Sequence, residues 1–128
     1  MIVDRSALMA ILLGEPEGQA LAETMAHADE LSLAAPNWLE AMIVIRARLG
    51  ARGTRALLEL VAAANIVVEP ADLALTRRAF DAWLRFGKGR HRAGLNYGDC
   101  FAYALAMQRN EPLLFKGDDF GRTDVRAA

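Results

Sequence analysis

Short runs of apolar residues alternate with longer segments of mixed character along the chain, and this alternation predicts strands separated by helices. The runs predicted to be strands are residues 1–4, 30–33, 65–69 and 112–115. The segments predicted to be helices are residues 6–13, 16–28, 36–49, 53–64, 71–86 and 99–109. Because strands that alternate with helices build a parallel sheet covered on both faces, the pattern predicts an α/β fold.

Glycine, proline and serine mark the ends of several of these segments. Ser6 is placed to cap the first helix, and Pro36 opens the helix that Gly50 is expected to end. The glycine-rich segment 86–98 reads as a loop. No repeat, low-complexity stretch or linker interrupts the pattern, so residues 1–128 are expected to form a single domain.

The amino-acid composition excludes several classes of protein. Apolar residues make up 54% of the chain, yet no run approaches the roughly 20 consecutive apolar residues of a membrane-spanning helix. Cys100 is the only cysteine, which excludes an internal disulfide and a cysteine-rich metal site. The first residues lack the pattern of a signal peptide. We therefore expect a cytoplasmic protein that does not cross a membrane.

Charge is unevenly distributed, although the formal net charge is only −1. Residues 1–45 are acidic, with Arg5 as their only Lys or Arg. Residues 77–92 are basic, with Asp81 as their only acid. The basic run has two interpretations, a solvated helix face and loop or a patch that follows the phosphates of a nucleic acid. Composition by itself favours the solvated face.

Two carboxylates stand alone in apolar segments. Glu40 is the only charge in residues 33–45, and Asp99 is the only charge in residues 95–107. Each falls near the start of a predicted helix, where a negative charge interacts favourably with the helix dipole. Taken singly, each carboxylate is therefore explained by helix stability.

Three further acids follow predicted strands. Asp4 ends the first strand, where it either caps the next helix or binds a cation, and Asp118 and Asp119 follow the last strand. The carboxyl ends of parallel strands share one edge of a sheet, so these acids are predicted to meet there with Glu40 and Asp99. A hard divalent cation, Mg²⁺ or Mn²⁺, would remove their mutual repulsion and keep bound waters. Such a site suits the hydrolysis of phosphodiester bonds.

Four stretches, spread over nearly the whole chain, also carry a resemblance to a known family: MIVDRSALMAIL, the segment around Glu40, GKGRHRAGLNYGDCFAYALA and PLLFKGDDFGRTDV. They resemble the PIN-domain ribonucleases, in particular the VapC-type toxins of toxin–antitoxin pairs. The resemblance implies a three-layer α/β/α fold with a short, mostly parallel central sheet, and a Mg²⁺-dependent endoribonuclease activity in which Mn²⁺ is an alternative ion. It places around the metal the acids Asp4, Glu40, Asp99 and one of Asp118 and Asp119. Ser6 matches the small polar residue that helps to shape the site.

The resemblance also implies partners. The substrate would be RNA, and its backbone would be followed by the basic residues Lys88, Arg90, His91 and Arg92. Proteins of this family form homodimers and are blocked by a cognate VapB-like antitoxin, so this chain is expected to bind a second copy and an antitoxin. The apolar helices predicted over residues 36–49 and 53–64 are the candidate surfaces for both.

One residue departs from the family pattern, because Arg5 stands where relatives usually carry a small residue, often threonine. Its guanidinium is expected to lie in solvent or to pair with Asp4 in competition with the metal, and a contact with a substrate phosphate is the second interpretation. Arg5 therefore leaves open a catalytically attenuated PIN-fold binding module. A metal-dependent phosphatase is a further alternative, although Asp4-Arg5-Ser6 lacks the second aspartate of the D-x-D motif of one phosphatase class.

Overall fold

A four-stranded sheet lies at the centre of the computed structural model, which describes residues 1–128. The strands are β1 (Ile2–Val3), β2 (Leu31–Ala34), β3 (Ile66–Glu69) and β4 (Leu113–Leu114). Their order across the sheet is β3-β2-β1-β4, and all three neighbouring pairs are parallel. The sequence-based prediction of a short sheet is therefore confirmed, and the four strands are entirely parallel.

Five helices and one turn of 3₁₀ helix surround this sheet. The helices are α1 (Arg5–Leu12), α2 (Gly18–Ala26), α3 (Ala35–Ala63), α4 (Leu73–Phe86) and α5 (Tyr97–Arg109), and the 3₁₀ turn is Phe120–Arg122. Two apolar clusters hold the layers together. One is formed with α1, α2 and α3, and the other with α4 and α5. The fold is thus the three-layer α/β/α arrangement that the family resemblance implies, with helices on both faces of the sheet as the sequence pattern predicts.

The alternation of side chains along each strand explains why both faces of the sheet are apolar. Ile2 and Leu113 belong to the cluster under α4 and α5, whereas Val3 and Leu114, the next residues along, belong to the opposite cluster. Successive residues of a strand point to opposite faces, so a sheet that is covered twice needs unbroken apolar runs. The short apolar runs of the sequence meet this requirement.

Helix α3 changes direction at Gly50. The backbone of Gly50 has φ 64° and ψ −152°, which interrupts the helix between the two segments that the sequence predicts. Such a conformation is readily reached only by glycine, because a side chain would clash with the backbone. The predicted end of a helix at Gly50 is confirmed. None of the helices in the structure combines the length and the apolar character that crossing a membrane requires.

The loop between α4 and α5 is closed at its base. The N–H of Lys88 donates to the carbonyl of Leu95, and the N–H of Leu95 donates to the carbonyl of Phe86, each at 2.9 Å. The loop, residues 87–96, therefore leaves α4 and returns directly to the start of α5. This arrangement places the basic residues of the loop near the first turn of α5.

Candidate acidic site at the carboxyl edge of the sheet

Asp4 joins the end of β1 to the start of α1. Its backbone N–H donates to the carbonyl of Leu114 at 2.8 Å, which ties it to the end of β4. Its Oδ2 accepts the N–H and the hydroxyl of Ser6, at 2.8 and 2.6 Å, while Oδ1 accepts no hydrogen bond from the protein. The side chain is buried, with 2% of the residue exposed.

Asp4, and not Ser6, is the N-cap of α1, so the predicted capping role of Ser6 is wrong. Asp4 has the extended backbone of a cap and its carboxylate reaches the N–H two residues ahead, whereas Ser6 already lies within the helix. The Ser6 hydroxyl instead accepts the backbone N–H of Lys116 at 2.9 Å. Ser6 therefore connects Asp4 to the segment that follows β4, which agrees with a role in shaping the site.

Asp99 lies in the first turn of α5, in a reciprocal cap with Asn96. The Asn96 side chain accepts the N–H of Asp99 at 2.9 Å, and Asp99 Oδ2 accepts the N–H of Asn96 at 3.0 Å. Burial raises the pKa of Asp99 to about 6, against the opposing effect of the Asn96 N–H, and the charges of Asp4, Asp119 and Glu40 add to the rise. Acids from three other parts of the sequence therefore lie close enough to Asp99 for their charges to affect it.

Glu40 is held between a cation and the start of α5. Its Oε1 lies 3.3 Å from Nε of Arg5, in an ion pair whose two side chains are 35% and 25% exposed. Its Oε2 lies against Gly98, where a Cβ would overlap the carboxylate. The sequence suggested solvent or Asp4 as the surroundings of Arg5. The structure instead pairs it with Glu40, one helical turn into α3.

Asn37 is a residue of this site that sequence reasoning missed. It is 1% exposed, and its Nδ2 donates to the carbonyl of Gly98 at 2.9 Å, while its Oδ1 has no hydrogen-bond partner. The bond ties the start of α3, which carries Glu40, to the start of α5, which carries Asp99. The signal was the only amide in the apolar stretch LAAPNWLEA, because a buried amide needs a specific partner.

The two acids after β4 have different surroundings. Asp119 acts electrostatically on Asp99, whereas Asp118 lines a separate hollow with Glu17, Thr24 and Lys116. Both side chains belong to exposed residues. Of the two candidates for the fourth acid, the structure brings Asp119 to the cluster. We refer to Asp4, Glu40, Asp99 and Asp119 as the acidic site.

The predicted RNA-binding residues lie on the loop that leads into α5, in unequal surroundings. Lys88 and Arg92 are exposed and form no ion pair with the protein. The guanidinium of Arg90 lies 5.0 Å from the centre of the Trp83 ring, and its Nε donates to a backbone carbonyl. The half-buried imidazole of His91 accepts the N–H of Ala93 at 3.0 Å through Nδ1.

This basic loop is attached to the acidic site. Arg122, three residues after Asp119, donates to the carbonyl of Arg92 at 3.1 Å. At its other end the loop continues into Asn96, whose amide caps the helix that carries Asp99. The loop is therefore joined to the two segments that carry Asp119 and Asp99.

The acids are not gathered into a ready-made metal centre. No group of three or more His, Cys, Asp or Glu side chains is arranged to hold a metal ion. The donor chemistry fits a hard divalent cation, because the donors at the site are oxygen atoms, mainly of carboxylates, and Oδ1 of Asp4 is free of hydrogen bonds. Burial is the main cause of the raised pKa of Asp99, and a bound cation would relieve the smaller contribution that comes from the charges of the other acids.

Comparison with known proteins relates the chain to a single protein family. Residues 1–126 match the family model of the PIN domain. Ribonuclease VapC28 of Mycobacterium tuberculosis is 48% identical over 129 residues, which cover 100% of this chain and 97% of that protein. Ribonuclease VapC of Mycolicibacterium smegmatis is 45% identical over 127 residues, which cover 99% of this chain and 98% of that protein.

Solved structures agree on the fold. VapC20 of Mycobacterium tuberculosis, described as a toxin that cleaves the sarcin–ricin loop, superposes with a TM-score of 0.81 and covers 99% of this chain and 97% of its own. A toxin–antitoxin complex from Klebsiella pneumoniae superposes with a TM-score of 0.72, with coverage of 99% and 95%. Both share 16% sequence identity with this chain, so they support the fold alone.

Proposed function

The chain belongs to the PIN domain family, and from that premise we propose that it is a metal-dependent endoribonuclease, the toxin of a VapBC-type toxin–antitoxin pair. The observation that carries the proposal is the placement of three acids: Asp4 is bonded to the end of β4, and the start of α3, which carries Glu40, is bonded to the start of α5, which carries Asp99. The charges of Asp4, Asp119 and Glu40, which add to the burial that raises the pKa of Asp99, agree with this placement. The names of its relatives, ribonucleases of the VapC group at 45–48% identity, support the same activity.

The acidic site would hold Mg²⁺, or Mn²⁺ in its place. Asp4 would bind the ion through its free Oδ1. Asp99 would be the second ligand, because it lies at the start of α5, which is bonded to the start of α3 that carries Glu40. Glu40 and Asp119 complete the acidic site, and Asp118 is the less favoured fourth acid because it lines a separate hollow. When bound, the ion supplies a water of lowered pKa and a positive charge beside the scissile phosphate.

RNA would be bound by the basic loop. Lys88 and Arg92 have exposed cationic groups without acidic partners, so they are the main contacts for the phosphates of the backbone. Arg90 and His91 contribute less, because each is already engaged with the protein. The loop continues into α5, so it would lead the bound strand towards Asp99.

The test is an assay on RNA with analysis of the product ends. Because water is the nucleophile, we expect a 5′-phosphate and a 3′-hydroxyl, activity that is lost in EDTA, and recovery in Mg²⁺ or Mn²⁺. Asp99→Asn should lower the rate by more than the ~10–100-fold that follows loss of an outer partner of a metal ligand. Asp81→Asn, an exposed acid of α4, is the matched control and should keep full activity. A 2′,3′-cyclic phosphate product would refute this mechanism.

We further propose that the chain forms a homodimer and binds an antitoxin through apolar helix surfaces. Four large apolar side chains are exposed along α3, namely Leu39, Ile43, Leu49 and Leu58. A second exposed set includes Phe80 and Trp83 of α4. Exposed apolar patches of this kind are typical of protein interfaces. A monomer at micromolar concentration in size-exclusion chromatography with light scattering would contradict the dimer.

A catalytically attenuated binding module is the second candidate, and the ion pair of Arg5 with Glu40 favours it. One acid of the site is already neutralised by this pair. Full metal-dependent cleavage by the unchanged protein would reject this candidate. Cleavage that appears only after Arg5→Thr would support it.

A further inference from the structure

Arg5 is the only Lys or Arg that forms an ion pair with a member of the acidic site. Its Nε lies 3.3 Å from Glu40 Oε1, and both side chains are partly buried. The other cations nearby are directed elsewhere. Lys116 pairs with Glu15 and Glu17, and Arg48, which lines the same shallow hollow as Arg5, has no acidic partner.

The position of Arg5 fixes this contact. Arg5 is the first residue of α1 and follows Asp4, whose carboxylate is bound to Ser6. The Arg5 side chain therefore starts at the edge of the acidic site and reaches Glu40 across to α3. Glu40 therefore has Oε1 on the guanidinium, whereas Oε2 lies beside Gly98 and forms no ion pair.

We propose that Arg5 is a resident counter-cation that sets the divalent-metal affinity of the acidic site. It competes with a metal ion for Oε1 of Glu40 and adds a positive charge that repels the ion. The same charge offsets part of the repulsion among the acids when no ion is bound. The inference rests on the proposed function, because it assumes that this site is the one that binds a divalent ion.

A titration of Mn²⁺ into the protein tests the proposal without any activity measurement. The protein is first stripped of metal with a chelator and dialysed, and heat is recorded by calorimetry. Arg5→Thr is expected to lower the Kd for Mn²⁺ by roughly tenfold, because it frees Glu40 and removes one charge. Arg5→Lys keeps the charge and is expected to stay within about threefold of the unchanged protein.

Arg48→Thr is the matched control. It removes the same charge from the same hollow but breaks no ion pair with the acids, so its Kd should stay within about threefold of the unchanged protein. Circular dichroism establishes that each variant is folded. In addition, Arg5→Thr should melt at a lower temperature than the unchanged protein in EDTA, and Mn²⁺ should raise its midpoint by more.

Three results would overturn the inference in distinguishable ways. Equal Kd values for all variants would remove the role of Arg5 and leave the proposed metal site standing. If Arg5→Lys or Arg48→Thr lowered the Kd for Mn²⁺ as much as Arg5→Thr does, the ion pair between Arg5 and Glu40 would not be the cause of the change. No Mn²⁺ binding by any variant, Arg5→Thr included, would refute both the counter-cation and the metal step of the proposed function.

Discussion

At the scale of single residues, Asp99 combines a structural and a chemical role in one carboxylate. It caps α5 together with Asn96, yet its pKa is raised from 3.8 to about 6 by burial and then by the neighbouring acids. The folded protein therefore binds a proton at Asp99 more readily than the unfolded chain does. The stabilising contribution of this proton is complete below pH 3.8 and is lost as the pH rises to about 6.

Asp99→Asn is consequently expected to stabilise the protein at neutral pH while it abolishes nuclease activity. Asparagine keeps the acceptor for the Asn96 N–H but carries no charge, so the free energy of unfolding at pH 7.5 should rise by about 2 kcal/mol. Urea denaturation in EDTA, at several pH values between about 4 and 7.5, measures the change. The gain should shrink towards pH 4. A gain that is independent of pH, or a loss at pH 7.5, would contradict this prediction.

A substitution at Gly98 is expected to affect metal binding more than stability. A Cβ at this position would overlap the Glu40 carboxylate. The same Cβ would lie 3.5 Å from Nδ2 of Asn37, which is an ordinary contact distance. The carboxylate is the end of a flexible side chain, so it can move. Gly98→Ala should therefore cost less than about 1 kcal/mol of stability. It should weaken Mn²⁺ binding, because Glu40 is displaced from the acidic site.

Calorimetry and urea denaturation of the same preparation separate the two effects. Gly121→Ala is a suitable comparison, since a Cβ at Gly121 meets nothing within 4 Å. Unchanged Mn²⁺ affinity in Gly98→Ala would show that the position of Glu40 is unimportant for the ion.

At the scale of elements, the local patterns sufficed for the number, type and order of the main segments. Apolar runs and helical spacing predicted the four strands, and Gly50 marked the break in α3. The caps were harder to predict, because Asp4 and Ser6 are both good N-cap residues and only the backbone conformation distinguishes them. The helices of the structure begin and end within a few residues of the predicted bounds, because several residues near each end are compatible with a cap.

Contacts between distant elements could not be predicted from the sequence. Asn37 meets Gly98 across 61 positions of the chain, and Arg5 meets Glu40 through the packing of α1 on α3. A periodic pattern shows which face of a helix is apolar, but not which residue of another helix lies opposite. The acidic site was predictable as a set of residues because sheet topology fixes where strand ends meet.

Gly50 supplies a prediction at this scale. Its conformation, φ 64° and ψ −152°, is unfavourable for a residue with a side chain, although a Cβ there would meet no neighbour. Gly50→Ala should lower the free energy of unfolding by about 1–3 kcal/mol through backbone strain alone. Urea denaturation measures the loss, and Gly121→Ala, which lacks a positive φ, should differ little from the unchanged protein. Mn²⁺ affinity should be unaffected, since Glu40 lies in another part of α3.

At the scale of the whole molecule, the charges of opposite sign are separated in sequence but adjacent in space. The basic loop is tied to the turn after Asp119 through Arg122 and to the start of α5 through Asn96. A site composed only of carboxylates would repel the phosphates of RNA. Cations beside it, together with a bound metal ion, provide the attraction that allows a polyanion to approach.

This arrangement predicts how RNA binding depends on salt. In an Asp99→Asn background, which is expected to prevent cleavage, the affinity for a single-stranded RNA should fall steeply as the salt concentration rises. Each phosphate neutralised contributes about −0.7 to the slope of log K against log salt. Replacing Lys88, Arg90 and Arg92 together by alanine should therefore reduce the slope by up to about 2.

The matched control removes three exposed arginines of α3 that form no ion pair, namely Arg46, Arg52 and Arg55. Fluorescence anisotropy of a labelled oligonucleotide at several salt concentrations gives both slopes. If the loop follows the RNA backbone, the loop variant loses most of the slope and the control keeps it, although both lose three positive charges. Equal slopes for the two variants would mean that the net charge of the protein, and not the position of the loop beside the acidic site, determines RNA binding.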